Sequence, residues 1–175
     1  MKNIPNILTI LRIASSPVIC FMIIKSYNNV LYTIVFLLAS FTDFLDGYLV
    51  RKYNLESNFG RCFDPIADKV LVISVLLSLA YTHNANIYCV LLLTMREVII
   101  MGVREFASSQ NQTIHVNILG KIKTTVQFIT IIALMMKIRI FGLNLGAFGL
   151  ILSVIVSIFS GWVYVMKTFR VVAKS

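Results

Sequence analysis

Residues 43–68 read DFLDGYLVRKYNLESNFGRCFDPIAD, and they hold every aspartate of a 175-residue chain with only seven acidic residues. Asp43 and Asp46 stand three residues apart and Asp64 and Asp68 four apart, so each pair lies on one face of a helix. The link between the pairs is short and polar, which makes the two flanking helices antiparallel neighbours that meet at one membrane face. Four carboxylates then converge on a single pocket. So much negative charge at low dielectric repels strongly, and two divalent cations would neutralise it.

The rest of the chain explains why that charge is costly. Apolar residues make up 58% and charged residues 13%, with a mean hydropathy of +0.87. These values exclude an ordinary soluble domain and predict an all-α integral membrane protein. Apolar segments at about 6–24, 28–50, 62–82, 86–106, 118–137 and 142–167 are each close to the roughly 20 residues that span a bilayer. They predict six transmembrane helices in one domain covering 1–175, with a short amphipathic N-terminal lead-in and the acidic site at the cytoplasmic ends of helices 2 and 3. Arg12 interrupts the first apolar run and no small-residue cleavage site follows, so the N-terminus reads as mature protein rather than a signal peptide.

Charge sets the orientation. Thirteen of the sixteen basic residues fall on the side that holds the N-terminus, leaving Lys25, Lys137 and Arg139 for the other. The positive-inside rule then makes the first side cytoplasmic. The net charge of +9 is spread along a hydrophobic chain with no dense tail, which suits anionic headgroups or phosphorylated substrates and argues against nucleic acid. Cys20, Cys62 and Cys89 are scattered and odd in number, so neither a disulfide framework nor a zinc site is expected.

Hard oxygen ligands favour Mg²⁺ or Mn²⁺ over zinc. Paired ions of this kind bridge a pyrophosphate and stabilise a leaving phosphate, and a nearby carboxylate can take the acceptor's proton. Asp68, at the end of the run, suits that role best. Plainer readings stand beside these: Asp64 before Pro65 as a helix N-cap opening span three, Asp43 and Asp46 as counter-ions for Arg51 and Lys52, and Gly47 and Gly60 as points of close approach or a turn. Gly142 and Gly146 form a GxxxG pattern at the start of the last span. Trp162 and Tyr164 read as an interfacial belt, and His83 and His115 as loop residues.

The spacing Asp43-x₂-Asp46-Gly47-x₂-Val50-Arg51-x₈-Gly60-x₃-Asp64-x₃-Asp68 resembles the signature of the CDP-alcohol phosphatidyltransferase family. Seven of its eight fixed positions match; Val50 stands where the family has Ala. The flanking stretches NIPNILTILRI, FDPIADKVLV, TMREVIIMGVREFA and GKIKTT extend the resemblance over nearly the whole chain. They are similar to members that transfer the phosphatidyl group of CDP-diacylglycerol to sn-glycerol 3-phosphate. The resemblance implies a six-helix homodimer in the bacterial cytoplasmic (inner) membrane, with its active site facing the cytoplasm. It implies metal binding by Asp43, Asp46, Asp64 and Asp68, with Asp68 also the general base. Gly47, Arg51 and Gly60 would meet CDP-diacylglycerol, the Arg51 guanidinium suiting the pyrophosphate, with Asn6, Thr9 and Ser57 as further nucleotide contacts.

The acceptor's phosphate needs basic partners, and Arg96, Arg104, Lys121 and Lys123 are the candidates. Lys121 and Lys123 read equally as a solvated flank, and Arg96 as the partner of Glu97 or Glu105. The rival within the family is a cardiolipin synthase with phosphatidylglycerol as acceptor. From other classes, a prenyltransferase would need a second aspartate motif, and an ion or proton transporter would spread its acids along the membrane depth.

Overall fold

The structure is a computed structural model. It describes the backbone of residues 4–53, 58–110, 118–140 and 142–172, and side chains within 7–42, 63–110, 118–139 and 142–171. It divides into two compact units, Met1–Asn84 and Ala85–Ser175.

The first unit contains α1 (Ile4–Ile24), α2 (Asn29–Tyr53) and α3 (Asn58–Tyr81), with α1 packed on both of the others. The buried stripe of α1 is Thr9, Arg12, Ser16, Ile19 and Ile23, a spacing of three and four. Its outer face carries Ile10, Leu11, Val18 and Phe21, each more than half exposed. Polar groups inside and bulky apolar groups outside is the arrangement that a lipid solvent selects. Pro17 lies within α1 without ending it, as membrane helices tolerate. The helix is unbroken from Ile4, so the expected N-terminal lead-in is continuous with the first span.

The second unit contains α4 (Ile87–Ser109), α5 (Ile118–Met135), a small hairpin of β1 (Arg139–Ile140) and β2 (Leu143–Asn144), and α6 (Leu145–Val172). The hairpin is antiparallel, pairing Arg139 with Asn144 and Ile140 with Leu143. Helix α6 packs on α4 and α5 through a stripe of mostly small or hydroxyl-bearing residues: Gly146, Leu150, Ser153, Ser157, Ser160, Gly161, Tyr164 and Thr168. Thr130 and Ser153 hydrogen-bond across the α5–α6 contact at 3.0 Å. Other hydroxyls bond carbonyls of their own helix, as Thr94 does to Val90 at 2.8 Å and Thr168 to Tyr164 at 2.9 Å, which satisfies them where water is absent.

Three helix ends share one device. Ser26, His83 and Lys137 adopt positive φ of 55°, 57° and 52° after α1, α3 and α5. The residues after them return to carbonyls five positions back: Tyr27 to Met22, Asn84 to Leu79 and Ile138 to Ala133. These are Schellman closures with no glycine at the left-handed position. An asparagine then starts each following helix: the Oδ1 atoms of Asn28, Asn86 and Asn144 accept from Val30 N, Tyr88 N and Ala147 N at 2.9, 2.9 and 3.2 Å.

Several boundaries differ from expectation. Helix α3 starts at Asn58, so Pro65 lies inside it and Asp64 is no N-cap. Pro65 removes one backbone donor without terminating the helix. The last helix begins at Leu145 rather than Gly142, which sits in the hairpin at φ 78°. The GxxxG pair therefore does not share a helix; instead Gly146 meets α5, where a Cβ would lie 2.7 Å from Leu134 Cδ2. Tyr164 is buried while Trp162 is exposed, so the two form no common belt. Among the described residues, Ile7–Ile24, Ile118–Met135 and Leu145–Val171 are long and apolar enough to cross a membrane, and α2 adds a shorter apolar run, Asn29–Thr42.

Candidate active site

The acidic stretch is carried by the end of α2 and the start of α3. Asp43, Asp46, Gly47 and Arg51 fall on α2, and Gly60, Asp64 and Asp68 on α3. Asn6 lies in the first turn of α1. The side chains of Asp43, Asp46, Arg51 and Asn6 lie outside the described residues, as do Ser57 and His115 altogether.

Asp64 and Asp68 are one turn apart on α3. Asp64 is half-buried and accepts a hydrogen bond of 2.5 Å from Thr9 Oγ1 on α1. Thr9 itself has no exposed surface. The Thr9 hydroxyl fixes one oxygen of the carboxylate. Asp68 has 37% of its side chain exposed and pairs with Lys69 at 3.3 Å. A pair this exposed contributes little to stability, and it leaves Asp68 accessible from outside.

Two acidic oxygens from α3 are a hard donor set, matching Mg²⁺ or Mn²⁺ in kind. Among the described residues no group of three or more His, Cys, Asp and Glu forms a complete ion site. Completion by Asp43 and Asp46 involves side chains beyond them.

Basic candidates cluster in the second unit. Glu97 continues the buried stripe of α4, Val90, Leu93, Glu97 and Ile100. Its carboxylate is paired with Lys123 Nζ of α5 and lies 3.4 Å from Arg96 Nη1. Arg96 also donates from Nε to the Ser157 carbonyl at 3.1 Å and from Nη2 to Ser160 Oγ at 2.9 Å, both on α6. Gly161 leaves room for this reach, since a Cβ there would stand 3.2 Å from Arg96 Nε. Of the two partners considered for Arg96, Glu97 is the one found. Lys123 is buried rather than a solvated flank, whereas Lys121 and Arg104 are exposed.

The linking role of Glu97 was missed from sequence, although its place in a three-and-four apolar spacing was a usable signal. The bond from Thr9 to Asp64 is likewise not expected from sequence.

Comparison with known proteins adds three findings. The sequence profile of the CDP-alcohol phosphatidyltransferase family matches residues 2–166. A Rickettsia typhi protein named CDP-diacylglycerol–glycerol-3-phosphate 3-phosphatidyltransferase is 46% identical over 129 residues, 73% of this chain and 72% of that one. Proteins of the same name from Bacillus subtilis and Wigglesworthia glossinidia brevipalpis are 32% identical over the full length of both chains and 33% identical over 90% of each.

Proposed function

Because this chain belongs to the CDP-alcohol phosphatidyltransferase family, we propose that it transfers the phosphatidyl group of CDP-diacylglycerol to sn-glycerol 3-phosphate, giving phosphatidylglycerophosphate and CMP. It is a multi-pass membrane protein of a family that generally depends on divalent metal. The observation that carries the reading is the full aspartate signature in a chain that aligns end to end with a relative named for this reaction.

All six helices cross the bacterial cytoplasmic (inner) membrane, with the aspartates at the cytoplasmic face, where the excess of Lys and Arg supports placing them. Residues 1–175 act as one catalytic domain, and the protein works as a homodimer. Asp43, Asp46, Asp64 and Asp68 would hold two divalent cations, Mg²⁺ or Mn²⁺. Held by these carboxylates, such ions would supply positive charge for the pyrophosphate and the leaving CMP.

The protein's own groups do the rest. Thr9 orients Asp64. Arg51 pairs with the pyrophosphate, Gly47 and Gly60 admit the CDP moiety at close approach, and Asn6 and Ser57 complete the nucleotide contacts. Asp68 takes the proton of the primary hydroxyl of glycerol 3-phosphate as that oxygen bonds to the phosphatidyl phosphorus. The bond from that phosphorus to the CMP oxygen breaks, and CMP departs with the electron pair. Arg96, Arg104, Lys121 and Lys123 provide the positive field that receives the acceptor's phosphate.

The test uses purified full-length protein with CDP-diacylglycerol and radiolabelled glycerol 3-phosphate, with and without Mg²⁺. The expected result is metal-dependent CMP release matched by label entering lipid. CMP release without lipid labelling would overturn the acceptor, and turnover with phosphatidylglycerol instead would make the product cardiolipin.

A further inference from the structure

Glu97 sits where an acid is expensive, in the buried stripe of a helix otherwise lined by Val90, Leu93 and Ile100. It is 5% exposed and its partner Lys123 is 3% exposed. Through Lys123 the carboxylate holds α5, and through Arg96 it reaches two groups on α6, the Ser157 carbonyl and Ser160 Oγ. One acid thus ties together three helices of the second unit. Removing it would take the shared carboxylate away from Lys123 and Arg96, whose side chains are only 3% and 14% exposed.

The same helices carry the exposed cations. Arg104 lies seven residues beyond Glu97, two turns along the same face of α4, and Lys121 lies two residues before Lys123 at the start of α5. The donors of Arg96 are directed at Glu97, Ser157 and Ser160, which suits a frame better than a ligand for an incoming phosphate. Arg104 and Lys121 are accessible.

We propose that Glu97 is the positioning residue of the acceptor-phosphate site. It holds Lys123 and Arg96, and through them the spacing of α4, α5 and α6, in the arrangement that presents Arg104 and Lys121 to the phosphate of glycerol 3-phosphate. The inference rests on the activity proposed above. It divides the four basic candidates into a buried frame and an exposed pair that meets the ligand.

The test measures kcat, the KM for each substrate and the unfolding temperature of the full-length protein in detergent for three variants. Glu97→Gln raises the KM for glycerol 3-phosphate about tenfold or more while the KM for CDP-diacylglycerol stays within about twofold. Glu97→Asp, which keeps the charge, recovers most of that loss. The exchange Glu97→Lys with Lys123→Glu restores, through a reversed pair, both thermal stability and most of the glycerol 3-phosphate KM, because Lys123 serves the frame and not the ligand.

Parallel rises in both KM values, a loss of stability alone, or an exchange that restores stability but leaves the KM raised would each overturn the proposal. Should Glu97→Gln fail to fold, the Asp variant and the exchange carry the same distinction. Wild-type protein that releases no CMP in response to glycerol 3-phosphate would overturn the activity reading and this one together. An unaltered glycerol 3-phosphate KM in Glu97→Gln overturns this one alone.

Discussion

Replacing Thr9 with Val tests whether α1 helps to build the metal site. The substitution keeps side-chain volume close to constant and removes only the hydroxyl that bonds Asp64 Oδ1 at 2.5 Å. A hydrogen bond to a charged group contributes about 1.5–3 kcal/mol, and each 1.4 kcal/mol is tenfold in an equilibrium constant. Loss of the bond therefore weakens metal binding by about ten- to a hundredfold, the range typical of outer-shell partners. Asp64 is only half-buried, so water replaces part of the bond, and the lower end, about tenfold, is expected. The assay is the initial rate of CMP release against Mg²⁺ concentration at saturating substrates for wild type, Thr9→Val and Thr9→Ser. The half-saturating Mg²⁺ rises in the Val variant and stays near wild type in the Ser variant. A wild-type metal requirement combined with a raised KM for CDP-diacylglycerol would refute the reasoning and make Thr9 a nucleotide contact.

Three further outcomes are expected. Asp68→Asn lowers turnover by about 10²- to 10⁴-fold, the usual worth of a general base, while equilibrium binding of CDP-diacylglycerol persists; wild-type turnover would remove Asp68 from that role. Gly146→Ala places a methyl 2.7 Å from Leu134 Cδ2 and 3.0 Å from Leu134 Cα. Leu134 is only 2% exposed, so relief requires the helices to part, at about 1–3 kcal/mol, seen as a lower unfolding midpoint in detergent. Lys137→Gly relieves a non-glycine residue at φ 52° and raises stability by about 0.5–1 kcal/mol; a fall in the same midpoint would show that the Lys137 side chain contributes more than its backbone costs.

Much of the helix organisation was legible. The polar breaks KSYNN, THNAN and KIRIFG mark three of the inter-helix connections, because asparagine caps and left-handed closures concentrate where an apolar run ends. Boundaries near Asp64 and Gly142 were misread for a shared reason. Proline and glycine are local punctuation, and the helix or hairpin they belong to depends on what packs against them. At Pro65 the helix had already begun, and at Gly142 a two-residue strand pair preceded α6.

Sequence by itself determined the class of chemistry. Four aspartates at helical spacing, with Gly47, Arg51 and Gly60 between them, identify the family because that pattern has little other use in an apolar chain. Tertiary structure alone decided which distant groups pair. Thr9 and Asp64 stand 55 residues apart, and Glu97 and Lys123 stand 26 apart. Helical periodicity says which side chains share a face, but the partner across that face is chosen by packing, which also made Lys123 a buried ion-pair member and left Lys121 in the open.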